Sequence, residues 1–310
     1  MTPSKGRKSQ AGRPNTAVVG SVLAFGNPWS NAGPQRYHDG NNAFTIPYRA
    51  RYWYSITTGE DSAVSGSYRG GVMILPRVDT PFYKPTYTAT NQLPITGWTS
   101  TGGSFAEYSD LASSFKSYRI TSWGIRVYSI GPPLSSAGVV VVRTIQADDP
   151  TADTSGPTAL AQSKHEEPIQ PGMDFYWQSK PTDVSVREFQ FIDSTSATEL
   201  DKWTIPQIHI ESASSTTVVR VEVTTNFEFV AAPNSFLSRM VKPAPERSEK
   251  FMDGVSRLFR ALPNIMPNPD HGVGPALVRG ANAVVSQIIT QGVNRMLGPA
   301  PPSGQLMLEY

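Results

Sequence analysis

The chain has no cysteine among its 310 residues. Disulfides, thiolate metal sites and cysteine nucleophiles are therefore excluded, and the redox compartment is left open. Charge is sparse as well, at 17% of residues against 38% hydrophobic. No apolar run reaches the ~20 residues of a membrane-spanning helix. The opening MTPSKGRKSQAGRPN lacks the apolar centre of a secretory signal, so synthesis in the cytosol is expected. Histidine is limited to His38, His165, His209 and His271, without the H-x-x-x-H spacing of a zinc site. His165 stands beside Glu166 and Glu167 in KHEEP, which reads as a helix-end charge cluster before it reads as a metal or proton-transfer pair. There is no G-x-S-x-G turn for a serine nucleophile. The Gly272-x-Gly274 step enters a helical pattern with no strand before it, which is the wrong context for a dinucleotide site. No repeat period is visible, which argues against a propeller or solenoid. With no catalytic constellation, no enzyme is expected.

What the chain does contain is turn formers, with 25 Gly and 27 Pro beside abundant Ser and Thr. That profile belongs to short strands and many turns, an all-β protein. The net charge of +2 conceals a division. Residues 1–36 hold five bases and no acid, residues 37–235 hold 14 bases against 20 acids, and residues 236–310 hold 8 bases against 5 acids. Basic ends around an acidic middle suggest terminal segments that meet a polyanion.

Three regions follow. Residues 1–40 are rich in Gly, Pro, Ser, Asn and Arg, too poor in apolar side chains to offset the entropy of ordering, and read as a flexible basic arm. Residues 41–235 contain eight candidate strands: FTIPYRARYWYSITTG, GGVMILPRV, SYRITSWGIRVYSIGPP, the valine run Val139–Val142, GMDFYWQSKP, VREFQFID, DKWTIPQIHIES and TTVVRVEVTTNFEFVAAP. In the last, Val219, Val221 and Val223 alternate with Arg220, Glu222 and Thr224, the period-two mark of a strand with one wet face. Helices are expected only over 105–115 and from Pro157 to about Lys164. Eight strands over this length suit a two-sheet jelly roll better than an immunoglobulin-like sandwich.

Residues 236–310 change period. SEKFMDGVSRLFRALPN puts Phe251, Val255, Leu258, Phe259 and Leu262 on one helical face with Arg257 and Arg260 off it, Ser248 as cap and Pro263 as stop. After a Pro/Asn/Gly linker, a second amphipathic helix over 275–298 carries Val284, Val285, Ile288 and Ile289, which need a partner, protein or lipid. The flexible cations Lys5, Arg7, Lys8 and Arg13, together with Arg257 and Arg260, suit phosphate neutralisation without sequence readout.

The valine run ends in three acids, Asp148, Asp149 and Asp153. Carboxylates so close repel unless a hard cation takes their oxygens, which makes Ca²⁺ one reading. Turn-forming aspartates before Pro150 are the other.

The order of parts resembles the capsid proteins of small icosahedral viruses: a basic arm, an eight-stranded body, and a last strand with Phe227–Glu228–Phe229 followed by Pro233. The strand from Tyr118 to Tyr128, after a short helix, is also similar. The resemblance covers residues 44–235 and points to nodavirus-like and tombusvirus-like single jelly-roll shells. It implies self-assembly into a many-copy icosahedral homo-oligomer, a virion location with synthesis in the host cytoplasm, and Ca²⁺ between subunits at Asp148, Asp149 and Asp153. It further implies packaging of a viral genome, single-stranded RNA before single-stranded DNA. The amphipathic tail resembles that of nodaviruses, which implies an internal helix with transient membrane contact through Val284, Val285, Ile288 and Ile289. The same likeness raises self-cleavage at Asn234–Ser235, Asn264–Ile265 or Asn282–Ala283, for which no acid partner is identifiable in the sequence. The alternative is a carbohydrate-binding β-sandwich with an oligomerising helical tail, using Trp98, Trp123, Trp177 and Trp203 to stack on sugars.

Overall fold

The computed structural model describes residues 25, 27–29, 33–40, 44–79, 81–101, 108–130, 137–146, 149–158, 163–192, 202–213, 218–239, 241–243, 246, 248–261 and 264–266. Ten strands longer than two residues form two antiparallel sheets. They are β1 (Phe44–Thr57), β2 (Tyr68–Ile74), β3 (Phe82–Ala89), β4 (Gln92–Ser100), β5 (Phe115–Ser129), β6 (Val139–Ile145), β7 (Ser163–Pro168), β8 (Asp174–Gln178), β9 (Ile205–Ala213) and β10 (Val218–Ala231). Helix α1 (Tyr108–Ser114) leads into β5, and α2 (Glu249–Ala261) follows the body.

The first sheet runs β1–β10–β5–β8 and the second β4–β3–β2–β9–β6–β7. With the β3–β4 hairpin set aside as an insertion, the eight remaining strands pair first with last, second with seventh, third with sixth and fourth with fifth. That nesting is an antiparallel ribbon rolled onto itself, an eight-stranded jelly roll.

The expected strands are largely present, with one exchange and one addition. VREFQFID supplies only a 3₁₀ turn (Val184–Arg187) and a two-residue bridge, Gln190–Phe191, on β5. The missing body strand is KHEEP: residues 163–168, expected to end a helix, pair with Val139–Thr144 of β6 as an edge strand. Local propensity misleads here because Lys, His and Glu are poor strand formers, yet charges suit an edge, where they discourage pairing with another chain. The β3–β4 hairpin was not expected at all. Its turn places Asn91 at φ 50°, a conformation asparagine tolerates.

Inward-pointing residues of both sheets interdigitate. Val72, Ile74, Val140, Val142, Ile208 and Ile210 meet Trp123, Ile125, Val127, Trp177, Val221 and Phe227. Each such side chain contributes about 1.5–3 kcal/mol on burial. Trp177 Nε1 donates across the core to Thr144 Oγ1 at 2.9 Å, satisfying the one polar atom a tryptophan brings inside. Trp98, Trp123, Trp177 and Trp203 are all buried, so none offers the exposed ring that sugar stacking needs. Gly71 is dictated by close approach: a Cβ there would lie 2.8 Å from the carbonyl oxygen of Ile208 on the neighbouring strand.

Candidate functional site

The wet-face alternation of β10 holds only for its first half. From Val223 to Phe229 every residue is buried, because other segments cover the outer face of the first sheet. The cover comes from both ends of the chain. Residues 33–40 belong to the expected arm but lie on the sheet, with Tyr37 buried, so the arm is anchored at its body end. Beside them lie the 3₁₀ turn Val184–Arg187 and helix α2.

One guanidinium holds this cover together. Arg119, on β5, donates through Nε to Glu228 Oε2 at 2.9 Å, pairs with Asp39, and donates through Nη1 to the carbonyl oxygen of Arg187 at 2.7 Å. Glu228 also accepts from Thr45 Oγ1 at 2.7 Å and from the Tyr37 backbone N–H at 3.2 Å. Arg187 in turn donates through Nη2 to Ser256 Oγ on α2 at 3.1 Å. The Tyr37 and Phe189 rings lie 4.9 and 4.4 Å from the Arg119 guanidinium carbon, a cation–π sandwich. Burial alone would lower the Arg119 pKa, but Asp39 and Glu228 outweigh it and hold the group above its ordinary value. Burial pushes the Tyr37 phenol up, so it stays neutral. The Phe227–Glu228–Phe229 step thus has a physical reading: both phenylalanines fill the core and the glutamate between them faces the other way, under the cover.

Helix α2 is the tail helix expected from its apolar spacing. Ser248 caps it, its Oγ accepting from the Phe251 N–H at 3.3 Å, while its own N–H reaches the His38 carbonyl at 3.0 Å. Phe251 stacks on His38 at 3.9 Å and meets Phe25 edge-on; Phe259 meets Trp203. Beyond the helix, Ile265–Met266 pairs with β8, and the first part of the tail is thereby built into the body. Arg257 and Arg260 are exposed, Arg257 paired with Asp253 at 2.8 Å. Between α2 and residues 180–187 lies a cleft of about 400 Å³, with Tyr37, Lys180, Arg187 and Arg260 in its lining.

The acidic tip folds back on its own sheet. Asp149 caps a 3₁₀ turn (Pro150–Ala152), its Oδ1 accepting from Thr151 N–H at 3.0 Å and Thr151 Oγ1 at 2.6 Å. Asp153 accepts from Ser155 N–H at 2.9 Å and from Gln207 Nε2 at 2.8 Å, and Gln207 Oε1 accepts from Arg143 Nη1 at 2.7 Å. Burial would raise the Asp153 pKa, but the Ser155 and Gln207 hydrogen bonds and the Arg143 charge bring it below the usual range. Both described carboxylates thus serve their own loop and the strands beneath it, in the manner of turn-forming aspartates. Among the described residues no group of three His, Asp or Glu side chains gathers around a possible metal position. Next to this network His209 is buried against Trp98, and burial, then the Arg143 charge, lowers its pKa to about 3.

Asp148, Lys5, Arg7, Lys8, Arg13, Val284, Val285, Ile288 and Ile289 lie outside the described residues, as does Asn282. Asn234 sits in the turn after β10, and Asn264 is clamped to β8 by hydrogen bonds with Gln178. Sequence reasoning missed Arg119, Asp39, Lys180 and Arg187. For Arg119 the signal was present: with Arg126, it is one of two charges inside the largely uncharged run SYRITSWGIRVY.

The two sheets define the class as an eight-stranded jelly roll that carries residues 33–40 and helix α2 on one sheet face. Solved structures with this fold include the T13 IBDV viral particle, at TM-score 0.56 and 10% identity, covering 91% of this chain and 99% of that chain. The infectious bursal disease virus Gx strain structure follows at TM-score 0.52 and 11% identity, covering 86% and 99%. The Gt strain structure is similar at 0.51 and 10%, covering 80% and 97%. At such identities the likeness is one of fold, and it does not single out a nodavirus-like or tombusvirus-like shell. No protein-family model matches the chain, and no curated protein matches it.

Proposed function

We propose that this protein is a viral coat subunit, a structural protein without enzymatic activity, whose jelly roll tiles a closed icosahedral shell. The observation that carries the reading is the nested eight-strand pairing, with a fold likeness spanning 99% of the chain in the T13 IBDV particle structure. Convergence of the arm and the first tail helix on one face of one sheet supports a second element. In this reading that face points inward, and the basic residues of the arm and tail neutralise the phosphates of a packaged single-stranded genome, RNA before DNA. In the same reading Asp148, Asp149 and Asp153 form the loop that meets a neighbouring subunit. Particles that melt alike in EDTA and in Ca²⁺ would remove Ca²⁺ from that contact.

The test is the size of the expressed full-length chain. Closed megadalton particles with nucleic-acid absorbance, seen by negative stain and size-exclusion chromatography, are expected. A small oligomer under every buffer condition would overturn the proposal. Ribonuclease and deoxyribonuclease digestion of the extracted polymer separates the two genome types.

A further inference from the structure

We propose that the cleft between α2 and residues 180–187 is a phosphate site that seats the backbone of a single-stranded nucleic acid. The identity of that polymer rests on the proposed coat function; the site itself rests on geometry. Three cations from three separate segments converge on the cleft: Lys180 after β8, Arg187 at the end of the 3₁₀ turn, and Arg260 on the last turn of α2. Arg187 bonds Ser256 through one nitrogen, which fixes its fork at the cleft wall. Among the described residues neither the Lys180 ammonium nor the Arg260 guanidinium makes an ion pair or hydrogen bond; the Lys180 backbone N–H donates to Thr204 Oγ1 at 2.8 Å. The one carboxylate in the lining, Asp183, is turned to its own backbone, where it accepts from the Ser185 N–H at 2.6 Å and caps the 3₁₀ turn.

Burial lowers the Lys180 pKa with no carboxylate acting against it. An ammonium drawn partly out of water without a counter-charge is costly unless an anion arrives. Tyr37 lines the cleft as a neutral phenol, so it adds no repelling charge to an incoming phosphate. Val184 stands exposed in the lining and offers apolar contact to a sugar or base edge. Lys180 and Arg187 are half-buried in the cleft while Arg260 stands exposed at its rim, so a phosphodiester strand that bends into the cleft reaches all three and the plane of a bilayer does not. The position fits as well. The cleft lies where the arm reaches the body at Tyr37 and beside the last turn of α2.

The experiment uses the full-length protein and a fluorescein-labelled twelve-nucleotide oligouridylate, read by anisotropy across a salt series. In K180A/R260A the affinity at ~0.1 M salt is expected to fall about tenfold, and the salt dependence to flatten by about one phosphate contact. The charge-preserving K180R/R260K pair should keep its affinity within about twofold. If the alanine pair melts early, K180Q/R260Q carries the same test. Inorganic pyrophosphate should compete for the wild type and lose that effect in the variant. Wild-type binding by the alanine or glutamine pair would overturn the site, as would a loss confined to phosphatidylserine vesicles. The two proposals fail separately. A chain that never forms particles but loses oligonucleotide affinity in the variant retains the cleft and loses the coat role. Particles forming normally, with unchanged binding in the variant, do the reverse.

Discussion

Arg119 and Glu228 form a salt bridge at 2.8 Å with neither side chain exposed to solvent, on the outer face of a sheet whose inner face is the hydrophobic core. Two charges withdrawn from water this way are held by their geometry, and removing one leaves the other unpaired.

Glu228→Gln keeps the shape and removes the charge. Arg119 then retains only Asp39 as a charged partner, and unfolding free energy is expected to fall by roughly 3 kcal/mol. The Arg119→Met/Glu228→Gln double variant should recover part of that loss, because both fully buried charges are gone and only the partly exposed Asp39 loses its partner. Chemical denaturation of the unassembled chain measures both. Equal losses in the single and double variants would show that packing, not charge pairing, dominates the site.

His209 makes stability depend on pH. Its folded pKa, about 3, lies below the ordinary 6.5, so the unfolded chain binds a proton that the folded chain refuses. Stability from this group is complete above pH 6.5 and declines as pH falls towards 3. Between pH 6.5 and 4 the decline is about 3 kcal/mol. His38, whose pKa is lowered by burial and then by the Arg36 charge, adds a further decline of the same sign. Asp153, lowered from 3.8, contributes only in more acid solution. His209→Phe should therefore flatten, without abolishing, the fall of melting temperature between pH 6.5 and 4. An unchanged slope would remove His209 as its source.

Ser248→Ala removes the cap of α2 and its bond to the Phe251 N–H. A loss of about 1 kcal/mol is expected. Hydrogen exchange should rise in the first turn of α2 while β5 and β10 keep their protection. Uniform loss of protection would mean that the helix and the sheet unfold as one unit.

Gly71→Ala places a methyl group against the Ile208 carbonyl, a backbone atom that moves only with its strand. A cost of about 1–3 kcal/mol is expected from overpacking. Gly66→Ala is the useful contrast. Nothing lies within 4 Å of a Cβ there, and its cost comes only from the positive φ of 77°. Melting curves of the two variants should separate steric from conformational strain.

The all-β class, most of the body strands and the amphipathic character of α2 were legible in the sequence. They arise from local alternation, β-branching and 3.6-residue spacing, which neighbours along the chain impose on one another. KHEEP as an edge strand was not legible, since its pairing with the valine strand depends on a partner about twenty residues away rather than on its own propensity. Nor was the fate of the acids: Asp153 reads as a repelling charge until Gln207, from a distant strand, lies beside it. Arg257 and Arg260 stood out by helical spacing, while Lys180 and Arg187 gain meaning only where the turn meets α2. What the sequence determined by itself is what short-range sterics and hydrophobic periodicity can specify. The buried Arg119–Glu228–Asp39 cluster, the anchored arm and the cationic cleft were decided by tertiary structure, because each brings together charges whose partners lie far apart along the chain.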